Sequence, residues 1–419
     1  MRQRSNIFQN IDWITFSIFL GLLLIGWLNI YAAVYNEEHK SLFDLSQNYG
    51  KQMIWIITSL VLALIILITD AKFFSTFSYI IYGIILLSLV AVVLVGKEIA
   101  GSRSWFEVGN FSLQPSEFAK FAAALALAKY LSNIDLSINR PATKLVSAAI
   151  ILIPALLILI QPDTGSAMVF SSLLLVLYRE GLSGKLLLIG VGLAMLFVLD
   201  LVIDKFVLIG IVVGLAVIAF ILYKNVRKRW FVTLIYVTLL SGYILSIDYV
   251  VDNILEPHQQ KRLHVLVGTE TDKKGAGYNV HQSMIAIGSG GLLGKGYLQG
   301  TQTKYDFVPE QSTDFIFCTI GEEWGFFGSF ALILIFIGLF ARIIILAERQ
   351  RSKFSRVYGY GVASILFFHF AVNIGMTIGL FPVIGIPLPF ISYGGSSLWG
   401  FTVLLVVFLK LDSVRLELL

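Results

Sequence analysis

Two carboxylates, Glu310 and Asp314, lie where a long polar segment ends and a hydrophobic run begins. The run Phe-Ile-Phe follows Asp314 directly, so this aspartate stands at the mouth of a candidate membrane-spanning helix. A charged group in that position loses part of its hydration, and such residues are by default functional. A carboxylate in an apolar setting can accept the proton of a hydroxyl group, which is general-base chemistry. Asp314 is therefore the first candidate for a catalytic residue, and Glu310 is the alternative base.

Helix capping is the other explanation for the polar end of this run. Ser312, Thr313 or Asp314 could accept a backbone amide hydrogen bond at the N-terminus of the following helix, because these residue types are preferred N-caps. In that case the negative charge of Asp314 would be dispensable, since asparagine caps a helix as well as aspartate does. The residue pattern leaves both explanations open.

The composition indicates a polytopic membrane protein. Of the 419 residues, 57% are hydrophobic and 14% are charged, whereas a soluble domain has about 25% charged residues. The first hydrophobic run is too long for a cleavable signal peptide and lacks a small-residue cleavage site. The single cysteine, Cys318, excludes an intramolecular disulfide. The net charge of +5 lies mostly in short loops, so it reports topology and does not indicate a nucleic-acid partner.

Hydrophobic segments predict an all-α fold, a polytopic membrane helical bundle of ten to twelve transmembrane helices, of which we count twelve. They lie near residues 13–34, 52–69, 74–95, 117–131, 145–160, 166–177, 186–199, 206–223, 230–247, 315–345, 357–380 and 394–409. The longest polar interval, residues 248–313, predicts a large extracytoplasmic loop. Because no hydrophilic domain stands apart, residues 1–419 are interpreted as a single integral-membrane domain.

Basic residues predict the orientation of these helices. Short cytoplasmic loops carry an excess of Lys and Arg, and the segments 224–229 and 349–356 are strongly basic. Both segments fall inside the cell when both termini are cytoplasmic. The same orientation places Arg103, Asp163 and Tyr393 outside, together with the large loop. The polar outer segments are therefore predicted to converge on one membrane face.

Several of these features also have purely structural explanations. Asp163 lies in the sequence Gln-Pro-Asp-Thr-Gly between two closely spaced spans, where turn chemistry alone would explain an aspartate. Glu117 and Lys120 are three residues apart, on one face of a helix, and predict an intramembrane ion pair that supports the fold. The glycine-dense segment 288–296 lacks the strand and helix that surround a nucleotide-binding loop.

Three basic residues of the large outer loop, Arg262, Lys295 and Lys304, would suit a phosphate-bearing ligand. Charged residues are mostly exposed, so each lysine taken singly is also explained by solvation. No His/Cys cluster has the spacing of metal ligands, and no Ser-His-Asp set stands out. The chemistry that remains is an outer-face aspartate beside basic residues.

Five sequence blocks resemble the signatures of the SEDS (shape, elongation, division and sporulation) family, in the order found in that family. They are Gln-Pro-Ser-Glu-Phe-Ala-Lys at 114–120, Gln-Pro-Asp-Thr-Gly at 161–165, Gln282-Ser283 with Ala-Ile-Gly-Ser-Gly-Gly at 286–291, Pro309-Glu310 with Thr-Asp-Phe-Ile-Phe at 313–317 and Gly-Glu-Glu at 321–323, and Pro-Leu-Pro-Phe-Ile-Ser-Tyr-Gly-Gly-Ser-Ser at 387–397. Gly296 with Gly-Thr-Gln at 300–302 resembles the elongation branch more than the division branch.

The resemblance implies a peptidoglycan glycosyltransferase that polymerises lipid II on the outer face of the bacterial cytoplasmic membrane during cell elongation. In the family, the aspartate of the Thr-Asp-Phe-Ile-Phe motif, here Asp314, is the essential catalytic residue. The substrate-binding candidates are Arg103, Asp163, Arg262, Gln282, Ser283, Lys295, Lys304, Glu310, Thr313, Tyr393 and Ser396. The family usually has ten spans, and the surplus in this chain lies between residues 190 and 247.

We interpret the reaction as an inverting glycosyl transfer with Asp314 as general base. Arg262, Lys295 and Lys304 would neutralise the pyrophosphate leaving group where negative charge develops. A divalent cation, Mg²⁺ or Mn²⁺, is a candidate to share that role, and no organic cofactor is expected. The resemblance also implies a class B penicillin-binding protein as the partner that supplies the transpeptidase, alongside other membrane proteins of the elongation complex.

Two functions of other classes stay open on the residues alone. A lipid-linked precursor flippase or transporter would place charged residues near mid-membrane at a repeat interface, whereas here they cluster at the outer face without a visible repeat. A non-catalytic membrane scaffold of the cell-wall machinery would not need the charge of Asp314. Polymerisation of lipid II by the purified protein, with and without this aspartate, separates the three functions.

Overall fold

The protein, seen in a computed structural model, is built mainly from helices. The structure describes residues 10–35, 44–99, 101–109, 111–253, 260, 262–263, 276–304 and 307–416. Within these residues ten helices are long and apolar enough to cross a membrane: Trp13–Ala33, Asn48–Ile68, Ser78–Val95, Pro141–Leu159, Gly184–Val202, Lys205–Leu222, Trp230–Asn253, Ile316–Glu348, Lys353–Thr377 and Gly395–Ser413. The prediction of a polytopic helical membrane bundle is confirmed.

The remaining two of the twelve predicted spans are helical but shorter. Pro115–Leu131 has 17 residues, and its Glu117, Lys120 and Lys129 make it the most charged of the predicted spans in the first half of the chain. Thr164–Arg179 is a shorter apolar helix with a 3₁₀ turn at Phe170–Ser172. Ala71–Thr76 is a short helix that overlaps the start of the predicted span 74–95. Short helices outside the predicted spans are Lys224–Lys228, Ala276–Ser289 and Thr301–Lys304.

A small antiparallel sheet precedes the helix Pro115–Leu131. Its strands are Lys97–Ile99, Ser102–Val108 and Phe111–Leu113, hydrogen-bonded in that order. The sequence analysis did not anticipate these strands, because two of them are only three residues long and too short for an alternating pattern. The sheet ends one residue before Pro115, which lies in the first turn of the helix, where proline's missing amide costs nothing.

The described residues form two compact units, Met1–Leu182 with Asn279–Leu419 as the first and Ser183–Tyr278 as the second. The second unit contains three of the ten candidate spans, Gly184–Val202, Lys205–Leu222 and Trp230–Asn253. This is the region in which the surplus over ten family spans was predicted. Few side chains of the second unit are buried, as expected for helices that face lipid. The prediction of one domain over the whole chain stays a prediction.

The core of the first unit is formed by Lys353–Thr377 and Gly395–Ser413, the two most buried of the candidate spans. Both contact the helix Pro115–Leu131, whose buried residues include a run of alanines from 122 to 124. Small side chains let membrane helices approach closely. Close packing there means that a polar group on any of the three helices must find its partner within the protein.

At one end of the first unit, ion pairs join its first and last helices to the C-terminal end of the helix Ile316–Glu348. Arg342 pairs with Asp12, which caps the first helix by accepting the amide of Thr15 at 3.0 Å. The guanidinium of Arg349 lies 2.5 Å from a carboxylate oxygen of the buried Asp412. The two ends of the described chain therefore lie at the same end of this unit, in agreement with a topology that places both termini on one side.

The helix Ile316–Glu348, called the broken helix below, is interrupted at Gly325, whose φ of 63° and ψ of −158° are not helical. Residues 290–296, called the glycine loop, fill the interruption. Four backbone hydrogen bonds of 2.9–3.2 Å connect the loop to the two sides of the break: Lys295 N to Glu322 O, Gly296 N to Glu323 O, Phe326 N to Gly291 O and Phe327 N to Leu292 O. The predicted span 315–345 is thus two helices in sequence, with the polar backbone groups of the break paired to the loop.

Candidate functional site

Asp314 lies just before the broken helix and is not its N-cap. The N-cap residue is Phe315, which has no side chain that can accept an amide hydrogen bond. The backbone of Asp314 is held by Asn373, whose side-chain amide donates to the Asp314 carbonyl oxygen and to the Ile386 carbonyl oxygen at 2.8 Å each. Asn373 is fully buried in the core helix Lys353–Thr377. The aspartate is therefore fixed to the most buried part of the fold.

Residues 381–394, called the proline loop, line one side of Asp314. The hydroxyl of Ser392 donates to the Thr313 carbonyl oxygen at 2.7 Å, and the amide of Tyr393 donates to the Ser312 carbonyl oxygen at 2.9 Å. Gly385 has a positive φ of 70°, and a Cβ placed there would lie 3.3 Å from an Asp314 carboxylate oxygen. A glycine at this position thus leaves room beside the half-buried carboxylate.

Asp163 takes part in a helix cap and in a side-chain contact. One carboxylate oxygen accepts the amide of Ser166 at 2.9 Å, and the other accepts the side-chain amide of Gln114 at 2.9 Å. The neighbouring Gly165 packs against the carbonyl oxygen of Ile384 in the proline loop. The hairpin tip therefore reaches the loop that borders Asp314, and the turn explanation accounts for one of the two Asp163 oxygens.

Ser396 and Tyr393 connect the proline loop to the rest of the outer face. Ser396 accepts the backbone amide of Gln114 at 3.1 Å and donates to the Ser112 carbonyl oxygen at 3.0 Å. Burial raises the pKa of the Tyr393 phenol, and a hydrogen bond with the Trp55 side chain offsets part of that rise. The phenol therefore stays protonated at neutral pH and can act as a hydrogen-bond donor.

Glu310 and Thr313 form an exposed turn ahead of Asp314. The Thr313 hydroxyl lies 2.7 Å from a Glu310 carboxylate oxygen, and the amides of Thr313 and Phe315 both donate to the Glu310 carbonyl oxygen. Glu310 has a positive φ of 60°, so helix does not continue through this residue. The two carboxylates therefore differ in setting, with Glu310 in an exposed turn and Asp314 half-buried against the proline loop.

The predicted basic residues are distributed unevenly. Lys295 lies 2.7 Å from the buried carboxylate of Glu322, so its charge is already balanced by a protein group. Lys304 is exposed at the end of the short helix Thr301–Lys304, and Arg103 is exposed on the second strand. Arg262 belongs to the second unit.

Gln282 and Ser283 lie on the helix Ala276–Ser289. Ser283 is buried, and its hydroxyl donates to the carbonyl oxygen of Thr377 at 2.9 Å, which ties this helix to the end of a core helix. Gln282 is half-buried on the same helix. His258, Lys261 and His264 of the predicted large loop, like most of its residues between 254 and 275, lie outside the described residues.

A buried charge cluster lies behind the proline loop. Lys120 Nζ is 2.7 Å from a Glu117 carboxylate oxygen, and both side chains are 3% exposed. The same Nζ lies 3.0 Å from His369 Nε2, and the other ring nitrogen of His369 is 3.2 Å from the Pro387 carbonyl oxygen. The ion pair predicted from the spacing is thus present, and it is connected through His369 to the loop that borders Asp314.

Sequence reasoning missed the residues that hold this site together. Asn373, His369 and Gln311 are buried in the structure. Asn373 and His369 each bond the proline loop, and Gln311 donates to the carbonyl oxygen of Ala33 at the end of the first helix. The available signal was a polar residue within or beside an apolar span, which is costly unless it is paired. That signal indicates a partner without saying which residue it is.

An apolar groove opens beside the site at the break in the broken helix. Its cavity volume is ≈ 380 Å³, and its lining includes Phe317, Gly321, Gly325 and Ile374. Phe317 is three residues after Asp314, so the groove begins about one helical turn from the aspartate. Two of these lining residues are glycines, so missing side chains contribute to its width. Such a surface suits a hydrocarbon chain.

Within the part of the chain that the structure describes, no group of three or more His, Cys, Asp or Glu side chains comes together as a metal-binding set. The site's chemistry is that of the half-buried carboxylates of Asp314 and Asp163, neutral hydrogen-bond donors and exposed cations.

A family model described as "FTSW_RODA_SPOVE: Cell cycle protein" matches residues 12–209 and 207–416, nearly the whole chain. The chain belongs to this family. The SEDS resemblance drawn from the five sequence blocks is thereby confirmed, since FtsW, RodA and SpoVE are SEDS proteins. Asp314 and the proline loop are the SEDS motifs that the structure brings into contact.

Individual SEDS relatives match over similar lengths. Peptidoglycan glycosyltransferase RodA of Treponema pallidum (strain Nichols) is 34% identical over 423 residues, covering 93% of this chain and 95% of the relative. Peptidoglycan glycosyltransferase MrdB of Escherichia coli (strain K12) is 34% identical over 382 residues, covering 90% and 88%. A chain of a solved peptidoglycan synthase complex, described as coordinating polymerization and crosslinking, matches with TM-score 0.70 and 25% identity, covering 98% of this chain and 100% of that chain.

Proposed function

We propose that this SEDS protein is a peptidoglycan glycosyltransferase that polymerises lipid II into glycan strands during cell elongation. Relatives that match nine-tenths of the chain are named peptidoglycan glycosyltransferases, and the alignments cover most of their own length. The outer-face motifs that resemble the family include the one that contains Asp314. Fold, length and motifs therefore support the same function.

The observation that carries the mechanism is the way Asp314 is held. Asn373 binds its carbonyl oxygen, while Gly385 leaves space beside its carboxylate. A carboxylate so fixed can accept the proton of an acceptor-sugar hydroxyl as that oxygen bonds to the anomeric carbon of the donor. The bond from this carbon to the lipid pyrophosphate breaks, and the configuration inverts. General-base assistance requires the carboxylate within hydrogen-bond reach of the hydroxyl.

The pyrophosphate leaving group needs positive charge in its vicinity. Lys304 and Arg103, both exposed on the outer segments, suit this role. The role predicted for Arg262 from the sequence stays a prediction. Lys295 is a weaker candidate than the sequence indicated, because Glu322 already balances its charge. Mg²⁺ is often held by substrate phosphates with one or two carboxylates, so the proposed divalent cation would enter with the pyrophosphate. No step of the mechanism depends on it.

The lipid tail of the substrate would occupy the groove at the break in the broken helix. The groove is apolar and begins beside Phe317, so a tail bound there leaves its pyrophosphate end near Asp314. The tail is already in an apolar phase in the bilayer, so the groove would act by packing against the tail and orienting the substrate, and not by removing it from water. This arrangement explains why the site is built within a membrane bundle.

The active site would face the outer side of the bacterial cytoplasmic membrane. The basic segments are predicted to be cytoplasmic, and this orientation puts the large loop on the outer side. A class B penicillin-binding protein is the proposed partner that crosslinks the new strands, alongside other membrane proteins of the elongation complex. The likeness to a chain of a peptidoglycan synthase complex supports a partner of this kind.

Polymerisation of labelled lipid II by the purified protein tests the proposal. Asp314→Asn keeps the shape of the side chain and removes the proton acceptor, so turnover should fall by about 10²–10⁴-fold. Glu310→Gln is the matched control, since it removes an exposed carboxylate four residues earlier, and it should keep most of the activity. Both variants should fold normally, as judged by melting temperature.

Other outcomes identify the rival functions. Near-normal polymer from Asp314→Asn together with an inactive Glu310→Gln would move the base to Glu310. If the unaltered protein makes no polymer, either alone or with its transpeptidase partner, the non-catalytic scaffold function would be supported. Transport of lipid II across vesicles without polymerisation would instead identify the flippase.

A further inference from the structure

Glu322 has an unusual environment for a carboxylate within a membrane protein. Its side chain is fully buried in the outer half of the broken helix. One oxygen accepts the backbone amides of Thr301 and Gln302 at 2.8 and 2.9 Å. The other accepts the amide and the hydroxyl of Thr303 at 3.0 Å each. Lys295 Nζ lies 2.7 Å from the first oxygen. Both oxygens are thus fully engaged by protein donors.

These donors all come from the segment that leads to Asp314. The carbonyl oxygen of Thr303 accepts the side-chain amide of Gln311 at 2.8 Å, and the same amide donates to the Ala33 carbonyl oxygen at 2.7 Å. Gln311 belongs to the turn in which the Glu310 carbonyl oxygen accepts two amides. Asp314 lies in that turn, and the helix that follows it carries Glu322. The contacts therefore form a closed ring from Glu322 back to Asp314.

We propose that Glu322 is a positioning residue for Asp314 and that Lys295 serves as its counterion, not as a contact to substrate. This inference rests on the proposed function, because it assumes that Asp314 reacts. Glu322 touches no reacting atom. Through Thr303 and Gln311, Glu322 fixes the position and orientation of the turn that contains Asp314.

The ring also explains why the first acid of the Gly-Glu-Glu motif, Glu322, lies in the broken helix. A fixed negative charge satisfies three consecutive amides at once, which a neutral side chain with one acceptor oxygen cannot do. The amides belong to the first turn of a helix, where intrahelical partners are missing. Replacement of Glu322 by glutamine would turn a donor toward these amides and release the segment.

The experiment compares three variants in lipid II polymerisation and in thermal melting. Glu322→Gln and Gln311→Met should each lower kcat by up to about 100-fold, because a shift of an ångström is enough for such a loss, while KM stays nearly unchanged. Gln350→Met is the matched control for Gln311→Met: both glutamines are buried, and Gln350 lies at the opposite end, where it donates to Leu346 and Asp412. It should lower the melting temperature and keep kcat.

The counterion role of Lys295 is tested by rescue. Lys295→Met alone leaves the buried Glu322 charge unbalanced and should lower the melting temperature with little change in KM. Adding Glu322→Gln to Lys295→Met should restore part of the lost stability. A normal melting temperature with a raised KM for Lys295→Met would instead make Lys295 a substrate contact and overturn this part of the proposal.

A double-mutant cycle decides whether Glu322 acts through Gln311. If it does, Glu322→Gln with Gln311→Met loses no more kcat than the worse single variant; multiplicative losses would show independent roles and overturn the proposal. If Glu322→Gln fails to fold, full kcat in Gln311→Met would also overturn the positioning proposal.

Asp314→Asn is measured in the same assays. Normal turnover of that variant refutes the proposed mechanism, whereas its inactivity with full turnover of Glu322→Gln refutes only the positioning role.

Discussion

The buried pair of Glu117 and Lys120 allows a quantitative prediction. The two charges are 2.7 Å apart with side chains 3% exposed, and Lys120 is also within 3.0 Å of His369. Glu117→Gln keeps the shape and removes the charge, which leaves the ammonium of Lys120 buried without its counterion. Breaking a buried pair in this way costs about 3–5 kcal/mol. With an unfolding entropy of about 2.1 cal/mol/K per residue, the melting temperature of a chain of this length should fall by about 3–6 °C.

The assay is thermal melting of the purified protein in detergent, with turnover measured on the same samples. The matched control is Glu348→Gln, because Glu348 pairs with Arg179 at the same 2.7 Å distance but with both side chains about half exposed. Exposed pairs contribute little, so this control should shift the melting temperature by no more than about 1 °C. Adding Lys120→Met to Glu117→Gln should recover part of the loss, since removing both charges also removes the unpaired one.

The result that would refute this reasoning is a Glu117→Gln protein with an unchanged melting temperature and abolished turnover. Such a protein would not need the ion pair for its fold, and Glu117 would then belong to the reaction. Equal shifts in Glu117→Gln and Glu348→Gln would refute the argument in another way, because burial would then make no difference to the pair.

Three further predictions concern other parts of the fold. Burial raises the pKa of Asp12, but hydrogen bonds from Arg342 and Thr15 outweigh it and bring that pKa down to about 2. Against an unfolded value of about 3.9, the native state should lose about 2.5 kcal/mol as pH falls from about 5 to about 1. Asp12→Asn should flatten the dependence of the melting temperature on pH across that window. Gly325→Ala should destabilise by at least about 2 kcal/mol in denaturant titration, because a Cβ there meets the glycine loop, whereas Gly338→Ala has open space and should be nearly neutral. Arg351 and Leu293 are exposed, so a cysteine in place of Arg351 should be labelled only from the cytoplasmic side and one in place of Leu293 only from the outer side. The native Cys318 is buried and should not be labelled. The reverse pattern would contradict the topology.

Hydropathy predicted the helices because each membrane-spanning helix needs a continuous segment of apolar residues. The segment 13–34 was predicted from composition alone, and the helix runs from Trp13 to Ala33. The convergence of Asp163, Asp314 and Tyr393 toward one end also followed from the topology. Both results depend on local composition and on the count of crossings, which are properties of the sequence itself.

The break at Gly325 could not be predicted in the same way. The predicted span 315–345 runs across it, and the acids Glu322 and Glu323 just before the glycine lower the local hydropathy without indicating that the helix is interrupted. The break exists because backbone groups of the glycine loop, some thirty residues earlier in the chain, replace the missing helical hydrogen bonds. The pairing of Lys295 with Glu322 depends on the same contact, which is why Lys295 was interpreted as a ligand for phosphate.

The interruption at Gly325 has a consequence for the depth of Asp314 in the bilayer. Residues 326–348 form a helix of about 34 Å at 1.5 Å per residue, which alone covers a hydrocarbon layer about 30 Å thick. In the proposed topology, the helix from Ile316 to the break would extend beyond that layer toward the outer lipid phosphates. It would carry the carboxylate of Asp314 to their level. A sugar chain could then reach this carboxylate from the aqueous side without entering hydrocarbon.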